Sequence, residues 1–143
     1  MIRPPFLKLH DKAVIVSPAG KISPEYVNDT ISILQEWGVE VKTSKNALRE
    51  TGCFSGFVEQ RLADLQKAMD DPEVKLIFCS RGGYGTIHLL DKLNFEGIKK
   101  NPKWILGFSD ITALQAAFMS HRIMSIHGPM TEHFSKEGAR DLS

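Results

Sequence analysis

The sequence has little of what cross-linked, metal-binding or redox proteins need. Its 143 residues include two cysteines, Cys53 and Cys79, which do not form a C-x-x-C pair. That pattern argues against a disulfide framework, a zinc site and dithiol redox chemistry, so we expect no metal ion and no cofactor. Cys79 ends an apolar segment, and we interpret it as a buried, inert thiol rather than as a nucleophile.

An excess of charge of one sign is also missing. Lys and Arg number 18 against 17 Asp and Glu, for a formal net charge of +1. This balance argues against a surface for nucleic acid. No apolar run approaches the roughly 20 residues that cross a bilayer, and the residues after Met1 lack the apolar core of a signal peptide. We therefore expect a cytoplasmic protein with no nucleic-acid or membrane partner.

Nucleotide-binding glycine patterns are absent too, although residues 82–85 contain three glycines. Their spacing fits neither G-x-G-x-x-G nor G-x-x-x-x-G-K-[ST]. A turn this rich in glycine can still present consecutive N–H groups to an anion. We expect it to hold an oxyanion or a substrate carboxylate rather than a nucleotide.

Apolar segments that suit strands alternate with amphipathic segments that suit helices. We predict strands at 13–17, 39–43, 74–79, 104–106 and 123–126, and helices at 24–37, 58–70, 86–90 and 111–120. This alternation predicts an α/β fold of three layers, in which a doubly wound, mostly parallel sheet lies between helices. The turns that follow parallel strands share one edge of the sheet, where ligands bind. We therefore expect residues 80–85 and 107–110 to face one cleft.

Ser109 is the strongest candidate for chemistry because it lies between a predicted strand and a predicted helix. A nucleophile elbow places a reactive hydroxyl at such a turn, with the N–H groups of the helix start aimed at a developing oxyanion. The hydrolase pattern G-x-S-x-G, however, is broken here by Ile111. The alternative is that Ser109 merely caps the following helix with its own oxygen.

The two turns, together with two further segments, resemble the LD-carboxypeptidase family, which includes muramoyl-tetrapeptide carboxypeptidases and microcin C immunity proteins. The matching segments are 7–20, 81–85 (RGGYG), 107–114 (GFSDITAL) and 125–130 (SIHGPM). The family's usual glycine before the aspartate of the first segment is replaced here by His10. The resemblance runs across nearly the whole chain.

This resemblance implies a flavodoxin-like, or class I glutamine-amidotransferase-like, fold with a nucleophile elbow. It also implies a serine carboxypeptidase that hydrolyses the L,D-peptide bond to the terminal D-alanine of murein tetrapeptides during peptidoglycan recycling. Family members use a Ser-Glu-His triad. Carried over by position, Ser109 is the nucleophile, and the backbone N–H groups of Gly83 and Asp110 form the oxyanion hole.

The family's triad glutamate and histidine lie in a C-terminal domain, which implies that residues 1–143 form only the N-terminal, nucleophile-bearing domain. A serine hydroxyl is a weak nucleophile until a positioned base takes its proton, so we expect the isolated chain to be inactive. The implied partners are a murein-derived peptide, the chain's own C-terminal domain and, as a homodimer, a second copy.

Four residues near the two turns are expected to bind substrate: Arg81, Gly82, Tyr84 and His127. Arg81 suits the free carboxylate that a carboxypeptidase recognises, although it could equally pin the turn by bonding to carbonyl groups. His127 follows the last predicted strand, where it shapes the site wall or, less simply, acts as a base. Nothing in the sequence argues for His133.

Other functions stay open at this stage. The same turns suit a microcin-type peptidyl-nucleotide hydrolase or a non-catalytic module that binds a carboxylate or phosphate. A class I glutamine amidotransferase needs cysteine at the elbow, so Ser109 argues against it. The loop at 44–57 is a candidate wall of the cleft, and we interpret Asp64, three residues after Arg61, as part of a solvated helix face.

Overall fold

The computed structural model describes residues 1–134 and contains a five-stranded parallel sheet flanked by helices. The strands are β1 (Lys12–Val16), β2 (Glu40–Thr43), β3 (Val74–Cys79), β4 (Trp104–Gly107) and β5 (Ile126–His127). The helices are α1 (Pro24–Glu36), α2 (Val58–Asp70), α3 (Glu96–Lys100) and α4 (Ile111–Ser120). The sheet order is β2-β1-β3-β4-β5, and every neighbouring pair is parallel. The predicted α/β class and doubly wound sheet are confirmed.

Helices cover both faces of the sheet because the central strands are apolar on both sides. On one face, Ile15 and Phe78 pack against Val27 and Leu34 of α1. The opposite face is covered by α2, α3 and α4 in a second core. That core includes Val16, Leu65, Met69, Ile77, Ile98, Ile105, Leu114 and Phe118. The two cores fix the sheet between its helices.

The strand order brings three loops to one edge of the sheet. β3 pairs with β1 on one side and with β4 on the other. The loops that leave the carboxyl ends of these three strands are therefore neighbours, although they are far apart in sequence. This edge is where open α/β sheets bind their ligands.

Several predicted elements differ from the structure. The segment predicted as a helix at 86–90 forms two short 3₁₀ turns, Thr86–His88 and Leu90–Lys92. Helix α3 was not predicted. The last strand lies at Ile126–His127 instead of 123–126. Within residues 1–134, no helix is both long and apolar enough to cross a membrane.

A buried lysine closes the carboxyl end of α2. Lys103 is 0% exposed, and its Nζ donates to the carbonyl oxygen of Ala68 at 3.0 Å and to that of Asp71. A cation suits this position because the last carbonyls of a helix lack intrahelical donors. Burial lowers the pKa of Lys103 to about 8.

The lowered pKa makes stability depend on pH. An unfolded lysine holds its proton up to its ordinary value of 10.5, whereas the folded protein releases it from about 8. The unfolded state thus holds the Lys103 proton more tightly between these values, so Lys103 contributes a rise of stability with pH there, by up to about 3 kcal/mol. Burial raises the pKa of the Cys79 thiol, which opposes this rise above about pH 9 in wild type and variant alike. Lys103→Met is expected to remove this rise. Urea unfolding of both proteins across this range measures it, and parallel pH profiles would contradict the assignment.

Candidate active site

Ser109 occupies a strained turn between β4 and α4. Its φ is +58°, a left-handed conformation that L-residues other than glycine seldom adopt, and its side chain is exposed. A nucleophile elbow has this strand-to-helix strain. The close approach falls on Gly107, where a Cβ would lie 2.7 Å from Cγ2 of Ile111. Glycine is thus needed at position 107, two residues before the serine, because the side chain of Ile111 packs against it.

The hydroxyl of Ser109 does not cap α4. The capping position is Asp110, without a side-chain capping bond, and no described residue hydrogen-bonds the Ser109 hydroxyl. The Thr112 N–H instead donates to the main-chain oxygen of Ser109 at 2.9 Å. The capping alternative is therefore wrong, which leaves the hydroxyl open to a ligand.

The glycine-rich turn lies directly against Ser109. A Cβ on Gly82 would be 2.9 Å from Cβ and 3.0 Å from Oγ of Ser109, and 3.4 Å from the main-chain nitrogen of Asp110. Gly83 and Gly85 have φ values of +100° and +125°, which other residues rarely adopt. The structure thus brings the two turns together.

Contacts on either side of Gly83 fix this turn. The Gly20 N–H donates to the carbonyl oxygen of Gly82 at 2.9 Å, and the Thr86 N–H donates to Oδ2 of Asp110 at 2.9 Å. In the part of the chain that the structure describes, the N–H groups of Gly83 and Asp110 have no acceptor. Both N–H groups are available to a ligand beside Ser109.

Arg81 lies at the rim of the turn and is exposed. Its Nη1 donates to the carbonyl oxygen of Lys21 at 3.2 Å, and its Nε lies 3.4 Å from Oε2 of Glu132. These groups line a polar cavity of about 280 Å³ together with Ser23. The bond from Arg81 to the Lys21 carbonyl oxygen is of the kind that would hold the turn in place. Because Arg81 is exposed, its guanidinium is also accessible to an anion.

Tyr84 forms an aromatic wall with the loop at 44–57. Its ring lies 6.3 Å from that of Phe54 and 5.3 Å from that of His88. The predicted cleft-wall loop therefore packs against the glycine-rich turn through Phe54. Tyr84 is 56% exposed, so its ring stays accessible.

His127 and His133 both lie beside Phe108, the residue before the serine. The ring centroid of Phe108 is 6.0 Å from that of His127 and 5.1 Å from that of His133. Neither imidazole hydrogen-bonds Ser109 within residues 1–134. The structure thus places both imidazoles next to Phe108, and sequence reasoning did not single out His133.

Sequence reasoning also missed two buried charged residues of α2, of which Arg61 contacts the glycine-rich turn. Arg61 is 3% and Asp64 8% exposed, so the solvated helix face was a wrong interpretation. Asp64 accepts from the main-chain and side-chain nitrogens of Asn46 at 2.7 and 2.9 Å. The usable signal was helical spacing, because positions 61, 65 and 68 share one face of α2.

Comparison with known proteins agrees with this geometry. Residues 14–128 match the LD-carboxypeptidase N-terminal domain family. The murein tetrapeptide carboxypeptidase of Pseudomonas aeruginosa is 34% identical over 120 residues, which are 83% of this chain and 39% of that protein. The microcin C7 self-immunity protein MccF of Escherichia coli is 28% identical over 100 residues, covering 69% of this chain and 29% of that protein.

Solved structures show the same architecture. The crystal structure of an MccF-like protein from Bacillus anthracis matches with a TM-score of 0.86 and 32% identity, over 94% of this chain and 42% of that one. The chain thus spans less than half the length of each of these three relatives. Because the family match covers most of its residues, this chain belongs to the LD-carboxypeptidase family.

Proposed function

We propose that this chain is the nucleophile-bearing part of a serine carboxypeptidase that releases terminal D-alanine from murein tetrapeptides. The observation that carries the proposal is the exposed, left-handed Ser109 packed against Gly82. A strained serine with a free hydroxyl and neighbouring free N–H groups has the parts of an acyl-transfer site. Family membership and the name of the Pseudomonas relative support this substrate class.

In the proposed reaction, the hydroxyl of Ser109 attacks the carbonyl carbon of the L,D-peptide bond. The N–H groups of Gly83 and Asp110 donate to the oxyanion that forms, and the D-alanine amine leaves as the acyl-enzyme is made. Water then hydrolyses the acyl-enzyme. Substrate binding is assigned to Arg81, Gly82, Tyr84 and His127.

A base must take the serine proton and return it to the leaving amine. We propose that a histidine and a glutamate from a second, C-terminal domain complete a Ser-Glu-His triad, since no described histidine bonds Ser109. We place the complete enzyme in the cytoplasm, as a homodimer that acts in peptidoglycan recycling. Residues 1–143 alone are expected to bind the murein peptide but not to hydrolyse it.

The second candidate is a microcin-type hydrolase that cleaves a peptidyl nucleotide. The likeness to an MccF-like structure favours it. Both candidates use the same nucleophile and oxyanion hole, so they differ in the groups that contact the rest of the substrate.

D-Alanine release from a murein tetrapeptide by the complete gene product tests the proposal. We expect release by the complete protein and none by residues 1–143 alone. Cleavage of a peptidyl-sulfamoyl nucleoside without D-alanine release would favour the second candidate. If the protein binds the peptide but catalyses neither reaction, the alternative of a non-catalytic module that binds a carboxylate would be favoured.

Arg81→Ala is expected to raise KM for the tetrapeptide about tenfold with little change in kcat. A guanidinium can hold the free carboxylate of the substrate through charge-assisted bonds worth roughly 1.5–3 kcal/mol. Steady-state kinetics measure the effect, with Glu132→Gln as the matched variant. That variant releases Arg81 from its ion pair and should not raise KM. An unchanged KM in Arg81→Ala would show that Arg81 does not hold the free carboxylate of the substrate.

A further inference from the structure

Arg61 lies beneath the glycine-rich turn and bonds to three separate segments. Its Nη1 donates to the carbonyl oxygen of Pro18 at 2.8 Å and to that of Gly85 at 3.0 Å. Its Nε donates to the carbonyl oxygen of Gly56 at 3.3 Å. The guanidinium lies over the ring of Phe54, 5.0 Å from the centroid. One side chain thus joins the loop after β1, the start of α2 and the turn after β3.

The hydrogen-bond partners of this buried arginine are carbonyl groups. Within residues 1–134, no carboxylate forms an ion pair with Arg61. Burying a cation without an ion-pair partner costs free energy. Burial lowers the pKa of Arg61, and the more distant carboxylates of Asp110 and Glu59 oppose that shift. This cost indicates that the position requires hydrogen-bond donors for these carbonyl groups, which a packed apolar residue would not supply.

The turn needs such an anchor because glycine does not fix its own backbone conformation. Gly85 has φ +125°, and a Cβ there would lie 2.6 Å from Nη1 of Arg61 and 3.0 Å from Cε1 of Phe54. The guanidinium and the ring therefore fill the space beside Gly85. With Gly82 held by Gly20 on the other side, the backbone of Gly83 is constrained from both ends.

We propose that Arg61 is a positioning residue that fixes the glycine-rich turn so that the Gly83 N–H faces the oxyanion formed at Ser109. This inference rests on the proposed function. Arg61 does not touch the substrate and acts through the Gly85 carbonyl. Preorganised donors stabilise an oxyanion only when their direction is fixed before the reaction, so loosening the turn at Gly83 lowers kcat far more than it raises KM.

The test compares Arg61→Met and Arg61→Lys in the complete gene product. We expect kcat for D-alanine release to fall about 10- to 100-fold in Arg61→Met, with KM within about threefold of wild type. Lysine keeps the charge but lacks the planar fork that reaches three carbonyls, so Arg61→Lys should recover only part of kcat.

Lys103→Met is the matched control. Lys103 is also buried and also donates to backbone carbonyls, but at the far end of α2. Its stability should change with a different pH dependence, while its kcat per folded molecule stays that of wild type. If Arg61→Met does not fold, Arg61→Lys carries the test alone, and its kcat should fall about three- to tenfold.

The outcomes separate this inference from the proposed function. An Arg61 variant with wild-type kcat, or with a raised KM alone, overturns the positioning role while leaving the peptidase intact. If the wild type releases no D-alanine, that substrate assignment fails, and the labelling rate of Ser109 by a fluorophosphonate replaces kcat. Slower labelling in Arg61→Met then supports the positioning role, whereas equal labelling, or no labelling of the wild type, overturns it.

Discussion

Replacing Ser109 with alanine is expected to lower kcat for D-alanine release at least about 10,000-fold and to leave KM nearly unchanged. The loss follows because the hydroxyl is the proposed site of the covalent bond, and removal of one triad member costs about this much in serine hydrolases. Substrate binding should persist, since the N–H groups of Gly83 and Asp110 stay in place. Steady-state kinetics on the complete gene product measure both constants.

Ser120→Ala is the control for Ser109→Ala. Ser120 ends the same helix that begins beside Ser109, and within residues 1–134 its hydroxyl donates only to the Ala117 carbonyl oxygen, at 2.7 Å. Its loss should leave kcat within about twofold of wild type. Residual activity of Ser109→Ala above about a tenth of wild type would contradict the assignment of the nucleophile.

Replacing Gly82 with alanine is expected to lower kcat about 100- to 1,000-fold. The added methyl group would lie 2.9 Å from Cβ and 3.0 Å from Oγ of Ser109, so the elbow or the turn must shift. Losing one oxyanion donor costs about this much in related chemistry. The φ of Gly82 is outside the left-handed region, so the contact with Ser109, and not backbone strain at position 82, produces the loss.

Gly52→Ala separates this effect from a general loss of stability. Gly52 has φ +60°, so alanine there is strained by about 1 kcal/mol, but no atom of the described residues lies within 4 Å of the new Cβ. This variant should be less stable and fully active per folded molecule. Equal loss of kcat in Gly52→Ala and Gly82→Ala would show that global stability, and not the turn-to-elbow contact, sets the rate.

The sequence was sufficient for the elements whose pattern is local. Helices at 58–70 and 111–120 and the strand at 74–79 were predicted with the bounds that the structure has. Each shows helical spacing of apolar residues or a continuous apolar run, and each ends at a turn-forming residue or a change in polarity. The doubly wound sheet followed from their alternation.

Elements that depend on distant contacts were not predictable in this way. Residues 86–90 carry apolar positions at helical spacing, but Gly85 is left-handed and the Thr86 N–H is bonded to Asp110. These contacts limit the segment to short 3₁₀ turns. The last strand shifted because Arg122 has φ +63° and the Ile123 N–H bonds back to the Phe118 carbonyl oxygen.

The candidate site also combines parts that could be predicted from local sequence with parts that depend on distant contacts. Its two turns were visible in the sequence because each combines a preceding apolar run with small or glycine residues. Arg61 was not visible as part of the site, since its partners Pro18 and Gly85 lie 43 and 24 positions away in sequence. A charged residue on a helix is usually solvated, and only its place in line with Leu65 suggested otherwise.

The most direct test of the central claim is to identify the residue that becomes covalently modified. The complete gene product is treated with a fluorophosphonate, and the adduct is located by intact mass and peptide mapping. We predict a single adduct on Ser109, formed slowly or not at all in Gly82→Ala. An adduct on another residue, or D-alanine release by a protein whose Ser109 stays unmodified, would contradict Ser109 as the nucleophile.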